Sequence, residues 1–136
     1  MKQVLVLCTA NSCRSIMAEA LINVLCTGRY EAVSAGSSPA GYVHPKSIET
    51  LERHRIGVSN PASKSWDEFA GQHFDLVITV CDAAAAESCP VFLGKYEKLH
   101  WSTTDPAKVT GTEEEINVAF DEAFKLLKQR IENELL

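Results

Sequence analysis

The 136-residue chain contains no apolar run long enough to cross a bilayer, no basic cluster, no Cys-x-x-Cys pair, and no repeat or low-complexity stretch. Each absence removes a class of function. The apolar run near the N-terminus breaks at Asn11, short of the roughly 20 residues a spanning helix needs. It also lacks the small-residue cleavage pattern of a secretory leader. A formal net charge of −5, with Lys and Arg scattered, offers nothing to hold a phosphate backbone. The cysteines number five, an odd count, and no Cys/His grouping has zinc spacing. These absences point to a cytoplasmic protein with no membrane or nucleic-acid partner, no metal and no cofactor. In a reducing compartment, cysteines serve catalysis, redox exchange or core packing.

What is present is the composition of a globular domain, 46% hydrophobic and 23% charged, at a length that fits one domain over residues 1–136. Residues 3–8 read as a first strand and 15–27 as a helix with Met17, Leu21, Val24 and Leu25 on one face and Gly28 as its stop. Tyr30 to Ala35 reads as a second strand, followed by a loop rich in Gly, Ser and Pro. Pro45 begins a helix carrying Ile48, Leu51 and Arg55 that Gly57 ends. Phe74 to Val80 is an apolar run rich in β-branched residues and reads as a central strand, and Leu99 to Trp101 as a short final one. Thr112 and Glu115 form a capping box, and Ile116, Phe120, Ala123, Phe124, Leu127 and Ile131 keep helical spacing behind it. Strands alternating with helices predict an α/β fold, with a single open, mostly parallel four-stranded sheet flanked by helices. Right-handed crossovers place the second strand and the Phe74–Val80 strand on opposite sides of the first. The end of the first strand is then a topological switch point, where open α/β sheets bind ligands.

Cys8 sits at that point. The segment Cys8-Thr9-Ala10-Asn11-Ser12-Cys13-Arg14 is a tight polar loop between the first strand and a helix that Ser15 opens. Successive backbone amides in such a turn curl around a tetrahedral oxyanion, and the helix N-terminus adds partial positive charge. That field favours a thiolate at Cys8, and Arg14 supplies a planar fork for two oxygens. Cys8 is therefore expected to titrate below the ~8.5 of a free thiol. The bland alternative makes Cys8 a buried residue ending a strand and Arg14 a solvated charge.

Cys81 directly follows the Phe74–Val80 strand, as Cys8 ends the first. Neighbouring strands would set the two thiols about 4.8 Å apart along the sheet edge, within reach of a disulfide. Cys89 lies eight residues further on, across an alanine-rich segment that favours helix. Residues eight apart on a helix are separated by ~12 Å, so joining Cys81 to Cys89 requires the segment 82–88 to unwind. Cys81 and Cys89 read alternatively as buried packing residues, as Cys26 does. Cys13 lies in the loop and offers its backbone amide.

The segment from Cys8 to Ser15, taken with Cys81, Cys89 and Asp105-Pro106, resembles the arsenate reductases built on the low-molecular-weight tyrosine phosphatase fold, over the whole chain. The resemblance implies that Cys8 is the nucleophile toward arsenate, that Arg14 clamps its oxygens, and that Asp105 protonates the departing oxygen. It implies an oxyanion site made by Thr9, Ala10, Asn11, Ser12, Cys13, Arg14 and Ser15, with Asn11 and Ser15 ordering the loop. It further implies that Cys81 releases arsenite by forming a Cys8–Cys81 disulfide, and that Cys89 passes this on as Cys81–Cys89. Ala10 stands where family loops commonly carry Gly. The Cys81–Cys89 spacing is one residue longer than the familiar thioredoxin-coupled pattern, which leaves thioredoxin and a glutathione/glutaredoxin system both open as reductant. A monovalent cation near the loop, touching Glu19 and Ser34, belongs to some members and is not assigned. Two other readings stand beside this one. A phosphomonoester or phosphotyrosine phosphatase would need only Cys8, Arg14 and Asp105, but related phosphatases usually follow the Asp-Pro with aromatic residues, where this chain has Ala107-Lys108. An arsenite or thiol redox sensor would use the three cysteines without turnover. Asp105-Pro106 alone also reads as a turn initiator.

Overall fold

The computed structural model describes residues 1–58, 61–81 and 96–136. Four parallel strands, β1 (Lys2–Cys8), β2 (Tyr30–Gly36), β3 (Leu76–Thr79) and β4 (Glu97–His100), form one sheet in the order β2-β1-β3-β4. The helices are α1 (Arg14–Leu25), α2 (Pro45–Arg53) and α3 (Glu113–Glu134), with short 3-10 turns at Trp66–Phe69 and Pro106–Lys108. No helix among the described residues is long and apolar enough to cross a membrane.

β1 is central because its residues can be buried on both faces, as a parallel strand between two layers demands. Val4, Leu5, Val6 and Leu7 are all fully buried. Alternation sends Val4 and Val6 to one face, where they join Met17, Leu21 and Ile22 of α1 and Phe120 and Leu127 of α3. Leu5 and Leu7 go to the other, with Ala35, Phe74 and Val77, flanked by Trp66, Phe69 and Tyr96. The pairing register sets Cys8 opposite Gly36 and Leu7 opposite Thr79, so β1, β2 and β3 all end at one edge.

Helix ends carry the chemistry their sequences announce. The Thr112 side chain accepts from the Glu115 amide at 3.2 Å, and Glu115 Oε1 accepts from the Thr112 amide at 3.4 Å. His44 caps α2 through Nδ1, which accepts from the Lys46 amide, and Pro45 opens the first turn. Several boundaries differ from expectation, α1 for one ending at Leu25 rather than residue 27. α2 stops at Arg53, and the reversal is made by Arg55 at φ 59°, ahead of Gly57. Leu76 rather than Phe74 begins β3, although Phe74 is buried beside it. β4 begins at Glu97, not Leu99, and ends before Trp101; its exposed Glu97 and Lys98 suit an edge strand.

Candidate active site

The loop at residues 9–13 joins the end of β1 to α1 and is held from outside by its carbonyls. Thr9 O accepts from the Ser38 amide at 3.0 Å, Ala10 O from the Ala40 amide at 2.9 Å, and Ser12 O from the His44 amide at 3.0 Å. Ser63 Oγ adds a bond to Ala10 O and Ser47 Oγ one to Ser12 O. With its carbonyls committed outward, the loop keeps its amides for the inner side, and the Asn11 N–H donates to Cys8 Sγ at 3.2 Å. Asn11 reaches this geometry at φ 49°, a left-handed conformation that Asn adopts more readily than most residues. Gly36 permits the packing from β2, since a Cβ there would lie 2.4 Å from Thr9 O and 2.9 Å from Cys8 O.

Asn11 and Ser15 form a buried frame behind the sulfur. Asn11 Nδ2 donates to Ser15 Oγ at 2.8 Å and to Ser34 Oγ at 3.0 Å, and Asn11 Oδ1 accepts from the Lys64 amide at 2.8 Å. Because Ser15 Oγ already accepts from Asn11, its own proton is free for Cys8 Sγ, 3.2 Å away. Ser34 Oγ in turn donates to Glu19 Oε1 at 3.1 Å. Burial pushes the Glu19 carboxyl up, against the charge of Lys64 and the Ser34 bonds. Ser63 and Lys64 carry no motif in the sequence and reach the loop only through the fold. Among the described residues, no group of three or more His, Cys, Asp and Glu side chains is placed to hold a metal ion.

Across the cavity lies the segment after β4. Arg14 Nη1 donates to Thr103 O at 3.0 Å, and Nη2 is 3.5 Å from Asp105 Oδ2. Asp105 also caps the 3-10 turn behind it, its Oδ1 accepting from the Ala107 amide at 3.0 Å. The turn-initiator role and a place at the site are therefore held by one side chain at once. The space enclosed, about 700 Å³, is lined by Thr9, Ala10, Arg14, Cys81, Asp105 and Lys108 among others.

The sheet brings Cys8 and Cys81 together at its edge. Both are buried free thiols, the sulfurs lie within hydrogen-bonding reach, and Thr9 Oγ1 is 3.4 Å from Cys81 Sγ. The expectation of a lowered Cys8 thiol is not met. Its pKa is raised well above the ordinary thiol value, chiefly by the hydrogen bond with Cys81 and then by burial, while Ser15 and the Asn11 amide pull the other way. Cys13 is buried at the N-cap of α1 and pushed up to about 11 by burial, with the Asp105 charge adding to it. Cys26 is buried at the other end of α1 and is also raised by burial. Cys89 and the expected helix at 82–88 lie outside the described residues.

This arrangement places a thiol at the mouth of an amide-lined loop, a guanidinium beside it, a carboxyl opposite, and a second thiol against the first. The family model for low molecular weight phosphotyrosine protein phosphatases matches residues 3–135. The chain belongs to that family. Within it, the chain is 38% identical over 114 residues to an arsenate reductase of Halalkalibacterium halodurans, covering 84% of this chain and 81% of the relative. It is 36% identical over 132 residues to arsenate reductase 2 of Staphylococcus saprophyticus, covering 97% and 98%. Among solved structures, an arsenate reductase in the phosphate-binding state superimposes with a TM-score of 0.76 at 29% identity, over 98% of this chain and 95% of that one. A tyrosine phosphatase of Erwinia amylovora, at 15% identity and a TM-score of 0.70 over 99% of this chain and 92% of that one, shares the fold.

Proposed function

We propose that this chain is an arsenate reductase, acting in the cytoplasm as a single domain over residues 1–136. The observation that carries the reading is the Cys8–Cys81 pair at the floor of the oxyanion loop. Hydrolysis of a phosphate ester has no use for a second thiol in contact with the nucleophile. Reduction has a use for one, since it can attack the Cys8–arsenic adduct. The identity of 34–38% to curated arsenate reductases supports the same choice.

In the proposed reaction the Asp105 carboxylate takes up the Cys8 proton, the thiolate attacks arsenic and forms a sulfur–arsenic(V) bond, and Asp105 returns the proton to one arsenate oxygen, which departs as water. Arg14 and the amides of Thr9 to Ser15 hold the remaining oxygens. The Cys81 thiolate then attacks Cys8 Sγ. A sulfur–sulfur bond forms, the sulfur–arsenic bond breaks, and its electron pair stays on arsenic, which leaves as arsenite. Two thiols are oxidised to a disulfide as arsenic(V) becomes arsenic(III). Cys89 next attacks Cys81, restoring the Cys8 thiolate and leaving a Cys81–Cys89 disulfide for an external dithiol. Thioredoxin and a glutathione/glutaredoxin couple are the two candidate reductants. One of the similar solved structures is a thioredoxin-dependent arsenate reductase of Corynebacterium glutamicum, 27% identical with a TM-score of 0.63, covering 98% of this chain and 63% of that one.

The raised Cys8 thiol fits this order of events. An oxyanion entering between the loop amides takes space beside the sulfurs and separates Cys8 from the Cys81 bond that raises it, leaving the Ser15 and Asn11 donors to favour the thiolate. Arsenate turnover measured with each reductant in turn tests the proposal. Arsenite formation that needs a reductant supports it. Hydrolysis of aryl phosphates with no arsenate turnover overturns it in favour of a phosphatase, and arsenite binding without turnover in favour of a sensor.

A further inference from the structure

We propose that Lys108 is the second cation of the anion site, drawing a doubly charged oxyanion past Asp105 toward Arg14. The substrate named rests on the arsenate reductase reading, but the charge argument holds for any tetrahedral dianion at this loop.

Arg14 is not a free positive charge in this site. Its guanidinium already faces Asp105 at 3.5 Å and the Thr103 carbonyl at 3.0 Å. A dianion that arrives beside Cys8 adds its charge to that of Asp105, and Arg14 alone does not balance the sum. Lys108 lines the same cavity as Arg14 and Asp105. It ends the 3-10 turn that Asp105 caps, and its amide donates to Asp105 O at 3.3 Å, so carboxyl and ammonium ride on one short turn. Lys46, Arg53 and Arg130 spend their charges on Glu113, Asp121 and Glu134. Lys108, among the described residues, has no carboxylate at ion-pair distance. Its charge is available to whatever enters.

An exposed ammonium on a flexible stem acts through its field rather than through a fixed contact. It should therefore govern capture of the anion and not the chemical step. Among the described residues, no aromatic side chain lines the cavity to hold an aryl group. Recognition at this mouth is by charge, which suits an inorganic oxyanion.

The experiment measures protection of Cys8 from iodoacetamide, an uncharged alkylating agent, by inorganic sulfate, which is a dianion throughout the working pH range. Each variant is compared with its own unprotected rate. Lys108→Gln should weaken sulfate binding about fivefold, as removal of one charge several ångströms from a dianion implies. Lys108→Glu doubles the change in charge and should weaken it about 25-fold, the square of the first effect. Lys108→Arg should stay within about twofold of the parent, and added salt should shrink all the differences. In arsenate turnover the same ratios should appear in KM with kcat unchanged. Equal sulfate binding by the Gln and Glu variants overturns the proposal, as does a loss confined to kcat. Charge-dependent sulfate protection in a protein that turns over no arsenate supports Lys108 and overturns the reductase reading, so the two fail separately.

Discussion

The two walls of the anion site are built to different standards. The wall behind Cys8 is a frame in which Asn11, Ser15 and Ser34 are fully buried and Asn11 donates to both serines. Three outer-loop amides and two serine hydroxyls hold the loop carbonyls in place. The facing wall, from Ser102 to Val109, is a partly exposed segment in which Asp105 is 22% exposed and a 3-10 turn is the only regular element. Arg14 links it to the frame, through Thr103 and Asp105. A nucleophile gains from being fixed, because the entropy of orienting it is lost before the reaction begins. An acid and a recruiting cation must let the anion in and the product out. Segments with few buried contacts open at little cost.

The hardest break of this comparison is made at the sulfurs. Cys8→Ser removes the only nucleophile of the frame and should lower arsenate reduction and any phosphate-ester hydrolysis together, by about 10⁴-fold or more. Cys81→Ser should abolish multiple-turnover reduction and spare slow ester hydrolysis. It should also lower the midpoint at which Cys8 titrates, since the Cys81 hydrogen bond is the largest cause of the raise. The sign follows directly: a raised thiol is protonated at neutral pH, and alkylation rate climbs with pH until the midpoint. In Cys81→Ser that climb should begin at lower pH. A Cys8 midpoint unchanged in the variant would show that burial, not the thiol pair, controls the nucleophile.

Arg14→Lys comes next, because Arg14 bridges the walls. Lysine keeps the charge but cannot hold Thr103 O and Asp105 together while gripping two oxygens. Loss of one well-placed oxyanion donor costs about 10²–10³ in rate, and kcat/KM for arsenate should fall by that order. A lysine variant with near-native kcat/KM would mean that the guanidinium acts as a point charge, and that the walls need no bridge.

Much of this site was legible in the chain before the fold, for reasons that can be named. The apolar runs at Val4–Leu7 and Phe74–Val80 read as strands because both lie between layers, and a thiol directly after each run had to reach the same sheet edge. The loop amides, Arg14 and the Thr112 capping box are local features, so spacing reveals them. Ser63 and Lys64 were not legible, since their bonds to the loop cross 53 residues and rest on the chain beyond α2. Gly36 reads in sequence as a loop residue; only the approach of Thr9 O explains why no side chain fits. The Cys8 thiol was misjudged in sign. Its stabilising donors are local, whereas the opposing Cys81 bond is tertiary.

Gly36→Ala sharpens the frame's side of the comparison. The new Cβ would meet backbone oxygen on both Thr9 and Cys8, and neither can swing aside as a side chain would. Overpacking of this kind costs about 1–3 kcal/mol. The expected result is a lower melting temperature together with weaker sulfate protection of Cys8. A stability loss with intact anion binding would show that the loop tolerates displacement of its start.

The smallest effect should come from a pair of helices outside both walls. Arg53 Nη2 lies 2.8 Å and His54 Nε2 3.0 Å from Asp121 Oδ1, tying the end of α2 to α3, while the His54 ring stacks on Phe124. Burial acts to raise the Asp121 carboxyl, but the hydrogen bonds and charges of Arg53 and His54 outweigh it and leave the pKa lowered. A lowered carboxyl contributes stability that is fully present above its unfolded value, about 3.9, and is lost as pH falls through the folded value below that. The group is partly solvated, so screening limits the contribution to about 0.2–1 kcal/mol. Asp121→Asn should therefore lower the melting temperature by no more than about 2–4 °C at neutral pH. The difference from the parent should vanish in strong acid, where the parent carboxyl is also neutral. Cys8 titration, sulfate protection and arsenate kcat should not move, because the frame around Cys8 makes none of its hydrogen bonds to this pair. A shift in any of the three would mean that the α2–α3 seam tunes the site through His44 and Ser47, which bond Ser12 O from the start of α2.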